Sequence, residues 1–144
     1  MTVKDRHLPI PIFLENLETE YLMCEFRSRI YVSPADKRYY KRVMGYKKDK
    51  ILSISERNGL PTMFQDEAIY KEKRKKLFDA HNRPIFQLTA PDALNYYSKD
   101  AWFKDIRTSK VGILQEADLN KGVLKISFQN SVKILKFEEA SRVL

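Results

Sequence analysis

The sequence holds one cysteine, two histidines, four glycines and six prolines in 144 residues, and each shortage removes a class of protein. With Cys24 alone no internal disulfide can form, so a cytoplasmic setting, cytosolic or intravirion, is expected over a secreted one. One thiol and two distant imidazoles, His7 and His81, cannot supply the roughly four close ligands of a structural zinc. A Ser-His-Asp or Cys-His relay fares no better: His7 lies in terminal sequence and His81 just past a predicted helix end. Cys24 falls on the apolar side of its segment, where a thiol packs as a small hydrophobe. Gly45, Gly59, Gly112 and Gly122 are isolated, and none opens a phosphate-cradling loop. No run approaches the roughly 18 apolar residues of a membrane span. Lys4, Asp5 and Arg6, ahead of a proline-broken Ile10 to Leu14, do not make a signal peptide.

Acidic residues for a magnesium-dependent nuclease would be Asp92, Glu116 and Asp118 with Lys121. The nuclease spacing puts a lysine two residues after the second acid; here Asp118 stands two after Glu116, and Asp92 suits the first turn of a helix. The expectation is a non-enzymatic protein that carries no metal and no cofactor.

What the chain has in quantity is apolar, aromatic and charged residues, at 43%, 12% and 32%. That is enough for one ordinary core, so a single domain over 1–144 is expected, with a C-terminal β subdomain over 110–144. The formal charge is +8, from 27 Lys and Arg against 19 Asp and Glu. Residues 36–50 alone hold seven cations and two anions, a net +5. A cluster of this kind raises the local potential and attracts nucleic acid or an acidic protein face.

Patterning predicts an α+β fold, short helices packed with a small antiparallel sheet. Pro9 and Pro11 hold the start extended, and Leu14, Leu17 and Tyr21 then mark a short helix with Glu15, Glu18 and Glu20 in water. From Cys24 to Val32 the apolar residues alternate as in a strand, with Arg27 and Arg29 on its wet side. Ser33, Pro34 and Asp36 are a helix start, and the helix would run to Met44 and close at Gly45. The rival is a hairpin pairing Arg42–Tyr46 with Lys50–Ser55. Asn58 to Pro61 is a turn, and Asp66 caps a helix over roughly 67–78. Ile85 to Leu88 suggests a short strand. Thr89 and Ser98 cap two further helices, Ala90 to Tyr97 and Lys99 to Arg107, the second burying Trp102 and Ile106.

Three β-rich runs follow, Val111–Glu116, Val123–Phe128 and Val132–Phe137, an antiparallel meander closed by a helical turn over Glu138 to Leu144. This order of strand, tight turn, strand and terminal turn is similar to small SH3-like barrels of the Tudor and KOW kind, found in transcription and translation proteins. The likeness spans about 35 residues, carries no diagnostic motif, and is one of shape.

The basic run is interleaved with tyrosine, Lys37-Arg38-Tyr39-Tyr40-Lys41-Arg42 followed by Tyr46-Lys47-Lys48 and Lys50. Single-stranded nucleic acid is held by cations along its phosphates and by rings that stack on its bases. The tyrosines also fit the inner face of a helix, where they would serve packing. The candidate nucleic-acid-binding residues are Arg27, Arg29, Lys37, Arg38, Tyr39, Lys41, Arg42, Lys47, Lys48 and Lys50. Two functions fit this pattern. One is a small protein that binds RNA or DNA, or a machine that processes them. The other is an interaction or assembly module, such as a phage- or plasmid-encoded factor, that docks on an acidic partner surface.

Overall fold

In the computed structural model the described residues are 8–144, and His7 lies outside them. The described residues form four helices and a five-stranded antiparallel sheet, an α+β fold. It divides into two compact units, residues 1–76 and 77–144. No helix among the described residues is long and apolar enough to cross a membrane.

The first unit is helical. Helix α1 (Ile10–Ile30) opens directly after Pro9, with Pro11 in its first turn where no amide partner is needed, so the prolines start the helix instead of holding the chain extended. It runs through the segment whose alternation suggested a strand. Leu22, Cys24, Phe26, Ser28 and Ile30 are indeed buried on every second residue. In a helix that spacing turns by about 200° per step, so the buried side chains lie on different sides and α1 is covered on more than one face.

Helix α2 (Pro34–Asn58) returns antiparallel to α1 after the link Tyr31–Ser33. Ser33 caps it, its Oγ accepting the Asp36 N–H at 3.4 Å, as predicted. It does not stop at Gly45, and neither arm of the rival hairpin exists. Tyr40, Val43, Met44, Lys47, Ile51 and Ile54 keep a helical spacing across the glycine, and the stripe they form stays at least half-buried. Gly59 ends the helix at φ +61°. Phe13, Leu14, Leu17, Ile51 and Ile54 form the core of the hairpin, flanked by Leu8, Tyr21, Leu60 and Phe64.

Helix α3 (Glu67–Leu77) follows the 59–66 turn, with Asp66 Oδ1 accepting the Ala68 N–H at 2.9 Å. It lies along α1 through Lys76–Glu15 at 3.2 Å, Lys73–Glu18 at 3.5 Å and Arg74–Glu25 at 4.0 Å. Glu18 is not in water as its spacing with Glu15 and Glu20 suggested: it is 2% exposed and also accepts the Met63 N–H at 2.8 Å.

The second unit is built on the sheet. No strand forms over 85–88; the pairing nearest to it is an isolated bridge just before the segment, Phe78 to Pro84. Its loop is held by Asp79, which accepts the N–H groups of His81 and Arg83 at 2.9 Å and pairs with the Arg83 guanidinium at 2.7 Å. Helix α4 (Ala90–Tyr96) is capped by Thr89 as predicted. The second predicted helix of this region is a strand. Asp100 turns the chain at φ +70°, and β1 (Trp102–Asp105) then buries Phe103 and Asp105 while Trp102 stays 52% exposed. Alternation carried by a buried carboxylate does not register as apolar period two, which is why the sequence pointed to a helix there.

The predicted meander is present as β2 (Val111–Asp118), β3 (Val123–Ser127) and β4 (Val132–Lys136). A 3₁₀ turn (Phe137–Glu139) takes the place of the single terminal helical turn and leads to β5 (Ala140–Arg142). β5 pairs with β1, giving the order β4-β3-β2-β1-β5. Phe103, Leu114, Leu124 and Ile126 are fully buried beneath the sheet. Gly112 is required where β2 meets β3, because a Cβ there would stand 2.6 Å from the Ser127 carbonyl oxygen.

Candidate nucleic-acid interface

Helix α2 decides which of the basic residues stand together. At about 100° per residue, Arg38, Arg42, Tyr46 and Tyr39 fall within an arc of about 100° on the side away from Ile51 and Ile54. All four are exposed, Tyr39 by 56% and Tyr46 by 68%. Lys41 extends the arc on one flank, and half-buried Lys37 lies beyond it toward the core. Tyr40 takes the other role open to a tyrosine here. It is half-buried with its ring 5.0 Å from that of Tyr31, and Tyr39 leans on it at 5.2 Å.

The other candidates are drawn off. Arg27 and Arg29 belong to helix α1, not to a strand. Arg27 is half-buried beside the Cys24 thiol, and Arg29 lies 3.8 Å from Glu25. Lys47 sits on the buried side of α2, its stem over the core and its ammonium on Glu20 at 2.5 Å. Lys48 stands 5.2 Å above the Phe64 ring and Lys50 5.1 Å above the Phe13 ring. Of α3's cations, Lys71, Lys73, Arg74 and Lys76 each meet a carboxylate.

Of the cations on α2, Lys47 alone has a carboxylate partner among the described residues. Lys37, Arg38, Lys41 and Arg42 make no ion pair with any described residue. They occupy the first three turns of α2. The acids Asp49 and Glu56 stand farther along the helix and bound the positive stretch on that side. Near it, the Cys24 thiol is pushed up by burial, against the pull of Lys47 and Arg27, which suits packing and not attack.

Elsewhere, a cavity of about 380 Å³ lies in the second unit, lined by Arg83, Tyr96, Tyr97 and Phe137 among others. Its polar groups already serve the fold: Arg83 holds Asp79 and the Glu138 carbonyl, and the Tyr97 ring stacks on Phe137 at 4.2 Å. Burial pushes the hydroxyls of Tyr96 and Tyr97 well above the ordinary range. The acids weighed for metal chemistry do not converge: Asp92 is buried in the first turn of α4, while Asp118 accepts the N–H groups of Asn120 and Lys121 at 3.0 Å. Among the described residues, no three His, Cys, Asp or Glu side chains gather as a metal site. No protein-family model, no curated protein and no solved structure matches the chain.

Tyr46 is the residue that candidate selection from sequence passed over. Its place in the arc depends on α2 continuing through Gly45, and a helix closed at that glycine leaves Tyr46 in a loop.

Proposed function

We propose that the protein binds nucleic acid through the first three turns of α2 and works by binding, not by catalysis. One observation carries the reading: Lys37, Arg38, Lys41 and Arg42 stand together on one helix with neither a carboxylate nor a ring partner among the described residues, whereas Lys47 is held by Glu20 and Lys48 and Lys50 lie over the Phe64 and Phe13 rings. An unpaired cation keeps its full attraction for a phosphate and releases a counterion when it meets one. An ion-paired cation must first give up its acid.

The test is a gel shift of RNA and DNA probes across a salt series, run beside a variant with Lys37, Arg38, Lys41 and Arg42 all changed to Ala. Wild type binds with affinity falling steeply with salt, and the variant binds weakly and with a slope shallower by about 0.7 to 0.9 per lost phosphate contact. A wild-type protein that shifts neither probe at low salt overturns the proposal and leaves the acidic protein surface as the partner these cations serve.

A further inference from the structure

Two of the largest exposed side chains in the first unit are tyrosines on the same side of the same helix, and phosphate binding makes no use of them. Tyr39 and Tyr46 are separated by seven residues, or about 10.5 Å along α2 and only about 20° around it. A strand stacked at about 3.4 Å per base covers that distance in roughly three steps. Tyr39 is braced by Tyr40, and Tyr46 stands clear of every other ring among the described residues. Arg38 and Arg42 line the adjoining edge of the same arc, with Arg42 between the two rings along the axis.

We infer, on the basis of the nucleic-acid reading above, that this face takes a single strand, its bases stacking on Tyr39 and Tyr46 while its phosphates follow Arg38, Lys41 and Arg42. Burying a ring against a base removes it from water and adds dispersion, and every base offers a π-face. A duplex hides those faces inside its own stack. Against a duplex the two rings meet only sugar and phosphate and hold the cations off the backbone. The four cations explain affinity for either form, whereas the spacing and exposure of the rings explain a preference for one. The preference carries little sequence selectivity, since stacking accepts any base.

The full chain is titrated by fluorescence anisotropy into labelled 12-nucleotide oligo-dT and oligo-U, and into a DNA hairpin duplex of equal charge. Oligo-dT and oligo-U bind at least tenfold tighter than the duplex. Tyr39→Ala and Tyr46→Ala each weaken single-strand binding about tenfold, and the double variant loses the preference while keeping the wild-type salt slope. The Tyr39→Phe, Tyr46→Phe pair retains it, because the ring and not the hydroxyl is used. Both residues are exposed, so circular dichroism of the alanine variants matches wild type. Duplex binding as tight as single-strand binding, or alanine variants that bind like wild type, overturns this inference and leaves the nucleic-acid reading standing. Absence of salt-sensitive binding to all three probes defeats both.

Discussion

A carboxylate as enclosed as that of Glu18 survives in its charged form only with partners, and it has two: the Met63 N–H at 2.8 Å and the Lys73 ammonium at 3.5 Å. It ties the turn before α3 and the middle of α3 to α1. Removing one side of such a buried pair leaves the other desolvated and unpaired. Glu18→Ala is therefore expected to cost on the order of 3 kcal/mol in urea unfolding, and Glu18→Gln, which still accepts from Met63, clearly less. Equal losses for the two, or a loss below about 1 kcal/mol for Ala, would show that the bond does not hold the turn. The same residue marks a limit of the sequence. Glu15, Glu18 and Glu20 are alike as letters, and only the arrival of a second helix on one side of α1 separates the buried acid from the wet ones. The tyrosines divide for the same reason, Tyr40 inward and Tyr39 outward, although adjacency alone guaranteed that both could not face the core. Trp102 and Phe103 are a further such pair, with the larger ring exposed because the strand register gives the inner position to Phe103.

Elements were legible where local chemistry decides them. Ser33 and Thr89 cap the helices they were expected to cap, and the meander lies within a residue or two of its predicted bounds. They were lost where tertiary cover sets the burial pattern, as in the second half of α1. Gly45 is the instructive case, because a glycine amid polar residues reads as a stop. Here it sits mid-helix, and a Cβ built on it meets nothing within 4 Å. It therefore gives α2 no packing benefit while costing the helix roughly 0.5 to 1 kcal/mol relative to alanine. Gly45→Ala is expected to raise the unfolding free energy by about that amount, read by thermal or urea melting, with binding unchanged. A destabilised variant would mean that the backbone at 45 is not helical. Gly59→Ala is the matched contrast, since φ is +61° there and a side chain is strained.

Over the whole chain the charge is divided unequally: residues 1–76 hold 17 cations against 11 anions, and residues 77–144 hold 10 against 8. A polyanion answers to net charge at long range and to unpaired cations at contact, and salt separates the two because the Debye length at 0.15 M is only about 8 Å. If the four α2 cations are the contact surface, an equal loss of charge elsewhere does little. The matched variant replaces exposed Lys99, Lys110, Lys121 and Lys125 with Ala, which lowers the formal charge from +8 to +4, as the Lys37, Arg38, Lys41 and Arg42 variant does. At about 0.15 M salt the second-unit variant is expected to bind within about threefold of wild type with the same salt slope, while the α2 variant binds many-fold more weakly with a shallower one. Equal losses in the two variants would show that the nucleic acid responds to total charge and that α2 is no more than one part of it.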